Sequence, residues 1–414
     1  MACRINAPFS GIPLLLWLLL LGACTIEKPV SEQNLAHLYG RNPPLTVDFS
    51  VVASGDEVLV FCGLKFQFPE FPAEKASFWE KYCISYQLRP GFESSRILLK
   101  DTLSPDMMIP GSGIRPVFRI SVPGADKNRL LVLKIRHRYA TEESAFFCQI
   151  PAQDSPDLSP FALFRGKIPV MGSRAKAGDT LNIRCFDYRK NSVRVEFNPF
   201  PDAVAMPPMA TVALLDSTPP DTYPVITSLN EPRVYRKPGY YQVKDSEGNA
   251  GFGFILTESD FPLLTQPREL IPPLVYISSR DERRELQNPE NPKLALDQFW
   301  LKITPQKDRA REIIRKYYLN IEDANRHFSQ YKEGWKTDRG MVMAIFGPPY
   351  QVFRSEDAEV WIYDKGHGPE NSVFYFFRKR AGNFADIWEL KRLSDYDKIW
   401  YGVVDLWRKG IIDR

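Results

Sequence analysis

A chain of 414 residues with 25% charged and 44% hydrophobic side chains has the composition of a folded protein of several domains, which excludes disorder throughout. Its 54 Lys+Arg against 50 Asp+Glu leave a net charge of only +4, which is no footprint for a nucleic-acid partner. Four histidines and the absence of Cys-x-x-Cys argue against a metal scaffold, whereas 35 prolines beside 27 Phe, 18 Tyr and 8 Trp point to short strands and long loops around aromatic cores.

Residues 1–23 read as a signal peptide. Arg4 supplies the positive start, and Leu14 to Leu21 form an apolar run far short of the ~20 residues a membrane-spanning helix needs. The run ends in Leu21-Gly22-Ala23-Cys24, which has the form of a bacterial lipobox, so Cys24 is the expected lipidation site, taking a diacylglycerol and further acyl chains such as palmitate. Thr25 stands where many inner-membrane lipoproteins carry Asp. The expected location is therefore the outer membrane, lipid-anchored and facing the periplasm, with the cell surface as the other open face. Residues 24–44 are expected to be a tether holding one short helix, with Ser31 as N-cap and Gly40 as its stop.

Residues 45–164 change to period two. The expected strands are 45–52, 57–68, 81–88, 97–101, 116–122, 129–138 and 144–150, which suggests an immunoglobulin-like β-sandwich. Cys62, Cys148 and Cys185 fall on apolar faces and read as core thiols, whereas Cys83 falls on a polar face. A Cys62–Cys148 bridge is possible, and the pairing among the four is left open. A second β-sandwich is expected over 165–269, with strands ending at Cys185, over 192–197, around Val243 and over 251–259. Its Pro-rich stretch between Asn198 and Pro224 obscures the strand pairing.

Residues 270–414 differ in kind and hold six of the eight tryptophans. A helix is expected over 294–303, and a second one capped by Thr304 with Pro305 at its first position. Four strands over 341–346, 359–363, 372–378 and 384–390 should form an antiparallel meander covered by helices, and 397–409 is a last amphipathic helix. The whole is thus a mainly β, multidomain chain ending in an α+β domain.

At the expected helix-to-sheet junction stand Gly334-Trp335-Lys336-Thr337-Asp338, then Arg339-Gly340, and a run ending Phe346-Gly347-Pro348-Pro349. Together with Asp297-Gln298-Phe299-Trp300, Tyr317-Tyr318, Ala324-Asn325-x-x-Phe328 and Glu359-Val360-Trp361, this resembles the GWxTD domain of bacterial envelope proteins over roughly residues 270–400. The resemblance implies secreted or lipid-anchored proteins with β-rich modules ahead of the domain, and it implies no activity.

Read from the residues, Gly334 would permit an unusual backbone at the junction and Trp335 would lock helices to sheet. Thr337 and Asp338 would cap a turn, Gly340 would complete the reversal, and Gly347-Pro348 would stop the first strand. A chemical reading would make Asp338 an acid or ligand beside Asp364, His367 or Glu370, with His367 on a glycine-flanked loop as the candidate functional position. No Gly-x-Ser-x-Gly, His-Glu-x-x-His or Walker pattern is present. The expectation is a non-catalytic interaction or scaffold component of an envelope assembly for secretion, outer-membrane biogenesis or motility, with no cofactor, no metal and no nucleic acid, and with other envelope proteins as partners. The rival expectations are an envelope hydrolase using Asp338 and the His367 loop, and a glycan- or peptidoglycan-binding protein.

Overall fold

A computed structural model describes residues 27–67, 75–113, 115–187, 192–210, 223–245, 247–248, 250–304, 306–364, 371–379 and 387–411. Cys24 with the signal segment, His367 and Glu370 lie outside the described residues.

The first module contains β1 (Leu45–Ser54), β2 (Glu57–Phe66), α1 (Lys75–Lys81), β3 (Tyr82–Arg89), β4 (Leu99–Thr102), β5 (Val117–Pro123), β6 (Arg129–His137) and β7 (Glu143–Ile150). Its two antiparallel sheets run β1-β2-β5 and β4-β3-β6-β7. Period-two side chains explain the pairing: Val58, Val60, Cys62 and Leu64 of β2 meet Ile84, Tyr86, Leu131, Leu133 and Cys148 across one buried core. Burial pushes the Cys62 thiol well up and the Cys148 thiol up to about 12. No disulfide joins these cysteines, and Cys185, expected in a core, is half-buried at a strand end.

The second module contains β8 (Phe161–Arg165), β9 (Ile168–Pro169), β10 (Arg174–Lys176), β11 (Thr180–Cys185), β12 (Ser192–Asn198), β13 (Tyr223–Ser228), β14 (Arg233–Val234), β15 (Gly239–Asp245) and β16 (Ala250–Thr257). Sheets β14-β11-β8-β9 and β10-β16-β15-β12-β13 enclose Leu181, Ile183, Val195, Val243 and Phe254. It lies on the back of the first module, where Val52, Leu59 and Phe61 pack with Ala162 and Phe164.

The C-terminal unit carries α2 (Pro267–Leu270), α3 (Arg280–Leu286), α4 (Pro292–Ile303), α5 (Lys307–Phe328), α6 (Asp338–Phe346), β17 (Gln351–Arg354), β18 (Ala358–Tyr363), β19 (Ser372–Lys379), β20 (Ile387–Leu390) and α7 (Tyr396–Lys409). The strands form the expected four-stranded antiparallel meander, β17-β18-β19-β20. Its first strand is not 341–346, however. Those residues are helical, because Thr337 caps the segment and every side chain from Arg339 to Phe346 is buried. A short apolar run buried on all sides has no period by which to tell helix from strand. Gly347 (φ 74°) and the prolines therefore end a helix, and β17 supplies the first strand. Thr304 likewise closes α4 through its N–H to the Trp300 carbonyl, and Gln306 occupies the N-cap position of α5.

The expected tether is docked along the whole of its described part. Two short 3₁₀ turns, Val30–Glu32 and Ala36–Tyr39, replace the single helix. Val30 and Leu35 are buried, and they share a core with Leu130 and Val132 of β6 and with the helices and sheet of the C-terminal unit. The Leu35 N–H donates to the Val352 carbonyl at 2.8 Å, so the strap continues the edge beside β17. Arg41 reaches α5, donating to Asp323 at 2.9 Å and to Asn320 at 2.7 Å.

Candidate functional site

The Gly334–Asp338 motif forms one 3₁₀ turn, Gly334–Lys336, wedged between α5 and α6. Gly334 has an ordinary backbone, and its requirement is space. A Cβ there would stand 2.0 Å from the Ala324 carbonyl oxygen. At Gly340 a Cβ would stand 1.8 Å from the Gly334 carbonyl oxygen. Two glycines thus let the turn sit directly on both helices, a close approach no other residue permits.

Each remaining residue ties this turn down. The Gly334 N–H donates to Ser329 Oγ at 2.7 Å, and the Trp335 N–H donates to Asn325 Oδ1 at 3.2 Å. Tyr276 donates to the Trp335 carbonyl at 2.9 Å and packs edge-on to its indole. Thr337 Oγ1 accepts from the Gly340 N–H at 3.0 Å while donating to the Gly334 carbonyl at 2.7 Å. That is the N-cap of α6, which satisfies one of its orphan N–H groups.

Asp338 is not a cap. Its Oδ2 accepts from the Leu390 N–H at 2.7 Å and from Arg392 at 3.1 Å, and its Oδ1 accepts from Arg392 at 2.8 Å. The pair is two-pronged and mostly buried, with side chains 11% and 17% exposed. Arg392 also donates to the Met206 carbonyl. Nearby, the Ala205 N–H donates to the Lys336 carbonyl and Lys336 Nζ donates to the Pro201 carbonyl. The motif therefore latches α6, the end of β20 and the loop after β12 into one joint.

Behind Asp338 lies a buried charge cluster. Arg339 is sandwiched between the Phe328 and Trp388 rings at 4.7 and 5.1 Å and pairs with Glu359 at 3.5 Å. Glu359 is fully buried and also accepts from Trp361 Nε1 at 2.6 Å. Tyr39 of the strap packs on Phe328 and Trp361, its phenol pushed up by burial and by the Glu359 charge. The recognisable pieces thus converge on one core. Ala324 and Asn325 receive the turn, Phe328 receives Arg339, and Trp300 meets Tyr317 and Tyr318.

Sequence reading found Gly334, Trp335, Thr337, Asp338, Gly340, Gly347 and Pro348 but missed Arg392, whose partner lies 54 positions away with no local signal. Among the described residues no cluster of His, Cys, Asp and Glu could hold a metal. A cavity of about 460 Å³ lies among the three units, lined by Phe147, Gln149, Tyr240, Phe252, Arg354 and Arg378.

Residues 239–409 match the GWxTD domain family. The chain is a GWxTD domain-containing protein. The match starts at Gly239, so it takes in β15 and β16 of the second module as well as the helical unit. No curated protein matches the chain. Among solved structures, dimeric latent PorU from Porphyromonas gingivalis is similar at 13% identity and a TM-score of 0.23, covering 54% of this chain. The chain spans about a fifth of that structure (21%), and so slight a likeness carries no argument.

Proposed function

We propose that this GWxTD protein is a lipid-anchored component of the bacterial outer membrane that works without catalysis, by holding other envelope proteins. Cys24 carries the anchor, on the strength of the lipobox, and the C-terminal sheet carries the docking face. The observation behind the second point is the outer face of β17–β20. Its inner side chains, Trp361, Phe374 and Phe376, are buried. On the outer face Phe353, Val360 and Tyr375 stand in register, as do Ile362 and Val373. Tyr375 is 39% and Phe377 47% exposed, beside half-buried apolar neighbours. Exposed aromatic rings on a partly buried apolar face are what protein interfaces use as their core.

The motif supports the same reading, because Asp338 spends both carboxylate oxygens on Arg392 and the Leu390 N–H. A photo-crosslinking side chain at Tyr375 should give a discrete adduct in intact cells, while the same group at Tyr139, which is 87% exposed on the first module, should give none. The variant Phe377→Lys should keep its melting temperature and lose the adduct. No adduct at Tyr375, with Phe377→Lys still fully complementing a deletion, refutes the docking face.

A further inference from the structure

The strap ends in a fixed place. Glu27 accepts from Gln87 Nε2 at 3.0 Å and from Lys134 at 3.0 Å, and it pairs with Arg89, which is 1% exposed. Arg89 also donates to the Lys28 carbonyl, and Val30 is fully buried. Only two residues, Thr25 and Ile26, lie between Cys24 and Glu27, and three extended Cα-to-Cα steps reach about 11 Å at most. On the anchoring reading proposed above, the acyl chains therefore leave the molecule next to β3, with no long leash between bilayer and body.

What lies there is unusual for a soluble surface. Gln87 pairs across the sheet with Lys100 of β4, and Leu88 with Leu99. β4 is the edge strand of its sheet, with all four residues exposed. Just before and within it, Ile97, Leu98 and Leu99 form a contiguous apolar run 37%, 42% and 38% exposed. Arg96 and Lys100 flank the run and are exposed, with Glu93 and Asp101 the nearby exposed acids. Asp101 is engaged by the Tyr86 hydroxyl. Consecutive exposed large aliphatics between two cations suit a headgroup interface, where side chains reach the acyl boundary and basic groups meet anionic lipid.

We infer that the edge Arg96–Lys100 is a second membrane contact, inserting Ile97, Leu98 and Leu99 into the headgroup layer of an anionic bilayer beside the acylated Cys24. The open backbone groups of β4 limit insertion to the headgroup layer, because an unpaired strand edge is not tolerated in hydrocarbon. The contact fixes the tilt of the whole body, because the strap packs in one core with the C-terminal unit.

The test uses the full chain purified with its anchor and reconstituted into phosphatidylcholine vesicles with and without phosphatidylglycerol. Leu98→Cys carries a nitrobenzoxadiazole label, Tyr139→Cys is the control, and the unsubstituted chain labelled in parallel gives the background. In vesicles containing phosphatidylglycerol the label at 98 should brighten several-fold and shift to the blue, and the label at 139 should not change. Water-like emission at 98 in vesicle-bound protein overturns the contact. So does brightening at 98 without vesicles that grows with protein concentration, because that is pairing of the edge with a second copy. A mass spectrum showing no acyl group on Cys24 overturns the anchoring reading separately, and the emission at 98 still decides the edge.

Discussion

Asp338→Asn separates a structural latch from a chemical group. The substitution keeps the size of the side chain and one acceptor for the Leu390 N–H, but it leaves Arg392 with its charge and without its carboxylate, in a site only 11–17% exposed. Removing one partner from a buried ion pair costs about 3–5 kcal/mol, and the residual exposure here brings that to roughly 2–4 kcal/mol. At ~2–4 °C per kcal/mol, the full chain should lose at least about 4 °C in the transition that reports the C-terminal unit. Arg392→Gln should cost a similar amount. The double variant should cost less than the sum, with a coupling of about 1–3 kcal/mol. Differential scanning calorimetry of the three variants is the assay. If Asp338→Asn melts with the parent and shows no coupling to Arg392, the latch reasoning is refuted.

Three further outcomes follow from the same joint. Trp335→Ala removes a side chain 4% exposed and should destabilise by about 3–5 kcal/mol, read as a lower denaturation midpoint. Gly340→Ala adds one methyl group against the Gly334 carbonyl, where backbone cannot give way as a side chain could, and should cost about 1–3 kcal/mol or more. An unchanged midpoint in either variant would contradict the packing described. His327 is half-buried, with its Nε2 shut off from solvent, and its imidazole is pushed down from 6.5 to about 4, chiefly by desolvation. The unfolded chain binds that proton below pH 6.5 and the folded chain does not, so stability should fall between pH 6.5 and 4, and His327→Gln should flatten that fall in melting scans.

Much of the fold was legible because period two survives wherever one face of a strand is buried. The strands from Leu45 to Ile150 lie within a residue or two of where alternation puts them. The amphipathic helix Lys307–Phe328 was legible for the corresponding reason at period 3.6. One exception was 341–346, where burial on every side erased the period and an apolar run read as strand. At the site, the glycines, the tryptophan and the threonine were visible as residue types, but their reasons were not. Gly334 and Gly340 answer to atoms of α5 and of the turn itself, which no local pattern encodes. The role of Asp338 was misread as capping because its true partners, Arg392 and the Leu390 N–H, arrive from the far end of the sheet. The strap was misread as a tether because its burial depends on a groove built from three distant segments.

The central claim is that the GWxTD motif builds a joint and performs no chemistry. The most direct measurement is complementation of a deletion strain by full-length Asp338→Asn across growth temperatures. A joint predicts function at low temperature, lost as the growth temperature nears the variant's own melting transition. Loss of function at every temperature, in a variant that stays folded, would contradict the account and make Asp338 a chemical group.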